Sequence, residues 1–166
     1  NDYMFQVIHR VRNSGTKPVT LYPYGLISRS GTPETLGYYI LHEGLLGVFN
    51  GQLEEVDYDD LQEAGSMARQ SQGGWIGITD KYWLTALVPD QKGQVNSRFR
   101  HFLQDDTDIY LVDYLGGSQT VRPGENIGVK SRMFAGAKVV RMLDRYAEED
   151  GIIHFDLAVD WGWFRF

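Results

Sequence analysis

The sequence predicts a mainly β protein, a sandwich of short strands with one late amphipathic helix. Three observations lead there. Short runs with period-2 alternation or continuous apolar character recur between Gly, Pro, Asn and Asp punctuation. Ten Tyr, eight Phe and four Trp supply bulky rings for a flat interior between sheets. A single stretch, residues 137–150, carries a helical period instead.

The elements follow in order. Over residues 3–11, Phe5, Val7, His9 and Val11 share one face while Met4, Gln6, Ile8 and Arg10 share the other. Asn13-Ser14-Gly15-Thr16 is a turn, and residues 19–27 form the next strand, with Pro23 marking an edge or a bulge. Residues 28–35 read as a polar loop, and residues 37–43 and 45–49 as short strands. Asn50-Gly51 then joins the second of these to residues 52–56, because a two-residue type I′ hairpin needs positive φ at both central positions. Residues 57–64 make one or two helical turns, and residues 65–74 read as a polar loop. Residues 75–79, 83–88, 95–103, 108–115 and 126–133 continue the strands, divided by Asp80-Lys81-Tyr82, Pro89-Asp90, Asp105-Asp106, Gly116-Gly117 and Pro123-Gly124. In the helix, Val139, Val140, Leu143, Tyr146 and Ala147 form one stripe with charged residues mainly opposite, and Gly151 is its stop. Residues 155–159 return to strand.

Composition narrows the function. The 166 residues suit one domain, 1–166, and no repeat period is visible. Sixteen Lys and Arg against twenty-two Asp and Glu give a net charge of −6, which repels a phosphate backbone and argues against nucleic acid as a partner. With no cysteine there is no disulfide framework, thiolate zinc site or thiol nucleophile. No stretch reaches the ~18 apolar residues of a membrane helix. The opening Asn1 and the aromatic run up to Phe166 suggest a segment cut from a longer polypeptide.

The chemistry-bearing motifs are weak. None of His9, His42, His101 and His154 stands at metal-ligand spacing with another. His42-Glu43 is the one acid/base neighbour pair, and on a strand its members point to opposite faces. The acidic run 54–60 fails the calcium-loop template, with Leu61, Gln62 and Ala68 where ligands or Gly are required. Ser14-Gly15-Thr16-Lys17 spells an S-x-x-K string but sits in a turn before Pro18. Gly73-Gly74-Trp75-Ile76-Gly77 lacks the Lys of a phosphate loop. No metal, cofactor or catalytic residue is expected. The aromatic pairs leave two readings open, a sugar-binding cleft lined by Tyr38, Trp75 and Trp83, or sandwich core with interfacial rings at Trp161, Trp163 and Phe164.

Three stretches together bring in a family. Residues 73–89 run from Gly73-Gly74-Trp75 through Tyr82-Trp83 and Ala86 to Val88-Pro89; Phe134-Ala135-Gly136-Ala137-Lys138 opens the helix; Phe155-Asp156-Leu157 to Trp161-Gly162-Trp163-Phe164 closes the chain. So read, the chain resembles the large periplasmic domain of the YidC family of membrane protein insertases, in an alphaproteobacterial-type version. The resemblance implies a β-supersandwich of galactose-mutarotase-like fold, of which this chain is the C-terminal part. It implies a non-catalytic accessory module of an inner-membrane protein, with SecDF, SecYEG and nascent membrane proteins as partners and the insertion groove elsewhere. Arg165 departs from the aromatic or aliphatic residue of many relatives. Val139, Leu143, Tyr146, Trp161, Trp163 and Phe164 become candidates for coupling to partner or membrane. A carbohydrate-binding or mutarotase-like protein is the alternative.

Overall fold

In a computed structural model, residues 3–35 and 41–159 are described. The strands are β1 (Met4–Arg12), β2 (Val19–Leu21), β3 (Tyr24–Ser30), β4 (Gly44–Phe49), β5 (Gln52–Val56), β6 (Ser66–Gln72), β7 (Trp75–Thr79), β8 (Trp83–Val88), β9 (Gln94–Gln104), β10 (Thr107–Gly116), β11 (Gln119–Val121) and β12 (Asn126–Ala137). The helices are α1 (Tyr58–Ala64) and α2 (Val140–Glu148), followed by a 3₁₀ turn, Phe155–Ala158. All pairings are antiparallel. A six-stranded sheet runs β1-β12-β8-β7-β4-β5, a four-stranded sheet β3-β10-β9-β6, and β2 pairs with β11 in a small ribbon.

Three layers result. Between the sheets, Leu45, Phe49, Ile76, Ile78 and Leu87 meet Val95, Phe99, Tyr110, Val112 and Tyr114, and α1 closes the edge with Tyr58 and Leu61. On the far side of the six-stranded sheet, Leu46, Val48, Trp75, Leu84, Ala86, Val88 and Phe134 pack under Leu143 and Tyr146 of α2 and under Ile152, Phe155 and Ala158. The middle strands therefore have two cores to serve. Every residue of β4 and β7 is buried, which explains why their sequences are nearly continuous apolar runs rather than alternating ones. Edge-to-face ring contacts order the second core, with Phe155 5.3 Å from Trp75 and 5.5 Å from Phe134 between centroids.

Turn chemistry sets the registers. Asn50 (φ 52°) and Gly51 (φ 80°) form the expected two-residue turn, so Phe49 faces Gln52. Asp105 (φ 49°) and Asp106 (φ 60°) do the same between β9 and β10, where Gln104 faces Thr107. Gly74 has φ 86°, and a Cβ there would run into the Val48 carbonyl. The Gly73-Gly74 step is thus the place where the chain slips past β4 before entering β7.

Five local expectations need correction. Residues 28–30 belong to β3, because Pro23 divides residues 19–27 into β2 and β3 and its carbonyl accepts from Gly116 N–H at 2.8 Å. Residues 66–72 form edge strand β6 rather than a loop; its inward side chains are Met67, Arg69 and Ser71, too polar to show as a strand, and Arg69 Nε donates to Glu54 Oε2 at 2.7 Å across the sandwich edge. Residues 41–43 are not strand, and the remainder of segment 37–43 lies outside the described residues. Residues 155–158 coil into a 3₁₀ turn, since His154 adopts a left-handed φ of 52° and the three-residue spacing puts Phe155 and Ala158 on the buried side. The helix starts later than expected, at Val140, because β12 continues to Ala137 in register with Trp83.

Two stability outcomes follow. Phe155→Ala removes a fully buried ring from the second core and is expected to cost about 3–5 kcal/mol in urea unfolding. Asp106→Gly relieves a left-handed residue in a two-residue turn, and a gain of about 0.5–1 kcal/mol with a raised Tm is expected.

Candidate functional site

The accessible chemistry lies at the margins of the sheets. At one end of the sandwich, Ile27, Arg29, Asp80, Trp83 and Thr85 line a cleft of about 200 Å³. The β7–β8 hairpin builds its floor. Asp80 N–H donates to the Trp83 carbonyl at 2.9 Å, Lys138 Nζ donates to Thr79 Oγ1 at 2.8 Å, and Lys81 N–H donates to Glu43 Oε1 at 3.2 Å. Arg29, pointing inward from β3, donates Nη1 to Asp80 Oδ1 at 2.5 Å and bridges the two sheets. Trp83 stands beside this pair 58% exposed. Behind it lies the buried Tyr58, with the Arg29 guanidinium 5.8 Å from its ring centroid. Burial pushes that phenol from its ordinary value near 10 up to about 12, partly offset by the Arg29 charge.

A second charged cluster lies on the outer face of the four-stranded sheet. Asp113 is fully buried there, clamped by Arg98 Nε at 3.2 Å and Arg100 Nη2 at 2.5 Å. Two cations share one carboxylate. Around it, Tyr24, Leu26, Leu115 and Phe102 are exposed, unusual for the outer face of an antiparallel sheet. A third cluster joins β9, β10 and α1: His101 Nε2 lies 2.7 Å from Asp108 Oδ1, and the Tyr110 hydroxyl lies 2.6 Å from Thr32 Oγ1 while accepting from Gln62 Nε2 at 2.5 Å. These are cross-strand ties. Among the described residues, no group of three or more His, Asp and Glu could hold a metal ion, and no helix is long and apolar enough to cross a membrane.

The expected site residues are distributed differently from a single site. Leu143 and Tyr146 are buried and fasten α2 to the six-stranded sheet, whereas Val139, extended at the helix start, is 45% exposed. Trp75 is 2% exposed beneath Phe155. It faces the helix layer, while Trp83, in register with Ala137, shares the opposite face of that sheet with Leu87, so these two rings do not line a common cleft. Tyr38, Trp161, Trp163 and Phe164 lie outside the described residues. His42 and Glu43 lie outside any strand, His42 Nε2 donating to the Leu45 carbonyl at 2.9 Å. Sequence reading missed Arg29–Asp80 and Arg98–Asp113–Arg100. The second was within reach: a two-residue turn at Asp105-Asp106 places Arg98 opposite Asp113.

These features define a class, a helix-backed antiparallel sandwich domain whose accessible aromatic and charged groups sit at its sheet margins. The chain belongs to the YidC periplasmic domain family, whose model matches residues 1–166, and it is accordingly a periplasmic domain. It is 45% identical over 174 aligned positions to a protein named membrane protein insertase YidC from Nitrobacter hamburgensis, covering 99% of this chain and 29% of that protein. The same name belongs to relatives from Beijerinckia indica subsp. indica, 46% identical, and Sinorhizobium fredii, 43% identical, each covering 99% of this chain and 28% of the relative. The chain thus spans less than a third of the length of these proteins.

The clusters give two tests. Arg98→Ala with Arg100→Ala strands a buried carboxylate and is expected to cost about 3–5 kcal/mol, whereas Asp113→Ala leaves two arginines free to turn to water and costs less; urea melts of both variants check the order. For Tyr58, the unfolded chain releases its proton near pH 10 while the folded chain holds it to about pH 12, so stability falls as pH rises through that window. Tyr58→Phe is expected to remove about 2 kcal/mol of that loss, measured by urea unfolding from pH 8 upward.

Proposed function

We propose that this domain is a non-catalytic accessory module of a membrane protein insertase. In this reading it supports insertion and folding of inner-membrane proteins, through contacts with SecDF and SecYEG and with nascent membrane proteins, while the full-length protein is membrane-anchored. The family match across residues 1–166 is the observation that carries it, together with the shared name of the relatives. The domain is one folding unit and the C-terminal part of a larger supersandwich. Coupling to partner or membrane runs through α2 and the closing aromatics Trp161, Trp163 and Phe164. Among the described residues of this set Val139 is the accessible contact, and Leu143 and Tyr146 act indirectly by holding the helix in place. The test uses the full-length protein in a strain depleted of its own insertase. Val139→Asp is expected to leave the melting temperature unchanged and to lower insertion of a reporter membrane protein several-fold. Wild-type growth and insertion with both Val139→Asp and Leu143→Ala would remove the helix from the coupling path.

One observation favours a second reading, a carbohydrate-binding sandwich. Trp83 offers an exposed ring next to the Arg29–Asp80 pair, and such a combination can stack on a sugar face while bonding its hydroxyls. Calorimetric titration with monosaccharides decides it: saturable heat that disappears in Trp83→Ala supports sugar binding, and flat titrations reject it.

A further inference from the structure

Charge is spread over this chain very unevenly. Residues 3–22 and 117–137 hold six Lys and Arg against one acidic residue, Glu125, a net charge of +5. The rest of the chain holds ten Lys and Arg against twenty-one Asp and Glu, a net charge of −11. Pairing of β1 with β12 and of β2 with β11 brings the two cationic segments together at one margin of the fold.

Register shows where the charges sit. Met4 and Phe134 face the helix layer, so Ile8, Arg10, Arg12, Lys130 and Arg132 share that side of the β1–β12 pair. Arg10, Arg12 and Lys130 are exposed there. Asn13 fixes the β2–β11 ribbon to the end of the same pair. Its N–H donates to the Glu125 carbonyl at 3.0 Å, and its Nδ2 donates to the Lys17 and Val121 carbonyls, both at 2.8 Å. Lys17 and Arg122 are thereby held at the base of the ribbon, near Arg12. Among the described residues, the one ion pair within these segments is Arg122 with Glu125, at 3.5 Å and exposed. Apolar side chains stand singly among the cations. Ile8 is 41% exposed opposite Lys130, and Val19 and Leu21 are 40% and 39% exposed on the ribbon.

We propose that this wing, β1 with β12 and the β2–β11 ribbon, docks on the anionic phospholipid surface of a bilayer. Charge complementarity selects the occupant. Arg10 and Arg12, two positions apart on one strand face, lie about 7 Å from each other, and the array suits a plane of phosphate headgroups better than one bound anion. Single apolar groups such as Ile8 and Val19 are accommodated at the headgroup boundary. The net −11 of the remaining chain is repelled by the same surface, which turns the domain wing-first. An apolar protein layer is excluded from this face, because it would bury four cations without partners. The proposal rests on the membrane-anchored reading above, and not on a role in insertion.

The test places the full-length protein, otherwise free of cysteine, in nanodiscs whose lipids carry a quencher near the headgroup. A fluorophore is attached at Gly128→Cys on the cationic face, where an added Cβ meets open space. Gln70→Cys on β6, at the far edge of the four-stranded sheet, is the control. With phosphatidylglycerol in the disc, the Gly128 probe is expected to be quenched and the Gln70 probe not, and ~0.5 M NaCl releases the quenching. Joint Arg10→Gln, Arg12→Gln and Lys130→Gln substitution is expected to lower the ratio of docked to undocked domain about 100-fold, at roughly fivefold per cation. Equal quenching in phosphatidylcholine alone, or quenching that survives the triple substitution, overturns the proposal, since the tether alone then sets the distance. Protein that co-elutes with the disc while its Gly128 probe stays unquenched overturns this proposal alone and leaves the anchored reading standing. A salt-sensitive spectral shift of that probe in detergent without phospholipid also overturns it, and assigns the face to an acidic protein segment.

Discussion

Two strands in the middle of the molecule, β4 and β7, have no exposed residue, and a strand in that position requires apolar cover on both sides. Most of the architecture answers that requirement. The four-stranded sheet and α1 cover one side, and α2 with the turn at Phe155–Ala158 covers the other. Burial of large side chains contributes about 1.5–3 kcal/mol each, so the two faces are of comparable weight. The helix layer is therefore a structural necessity for the central strands before it is anything else.

The polar chemistry is arranged around this apolar frame. Arg29–Asp80 ties the two sheets together at one end, and Arg69–Glu54 ties them at the opposite edge. Both pairs are partly exposed, and such pairs contribute little to stability but fix how the layers sit. Asp113 is different in kind, a buried carboxylate whose cost is met only while both arginines stay closed over it. The accessible rings, Trp83 at the cleft and Tyr24 on the outer face, then stand beside rigidly held charges rather than on mobile loops.

Much of the fold was legible in the sequence, and the reasons are local. Asn50-Gly51 announced its hairpin because few dipeptides accept two positive φ angles. The stripe Leu143, Tyr146 and Ala147 announced the helix by its period. Strand β6 was hidden because an edge strand at the rim of a sandwich can point Arg69 and Ser71 inward without an apolar signature. The turn at Phe155–Ala158 was hidden because four residues are too few for a period to distinguish strand from 3₁₀ geometry. The site was less legible than the fold. Arg29 and Asp80 are 51 positions apart and meet only through the packing of two sheets, so nothing short of tertiary structure relates them.

The order of these elements along the chain has a consequence for synthesis. A ribosome delivers β4 and β7 well before it delivers α2 and Phe155, the groups that cover their second face. During that interval the central sheet can form with one side still bare, presenting Leu46, Val48, Trp75 and Leu84 to the surroundings. The unprotected lifetime of this surface is set by elongation over roughly seventy codons after β7, a few seconds at ordinary rates. Holding or shielding Trp75 through that window is a requirement on the cell that the finished domain no longer displays.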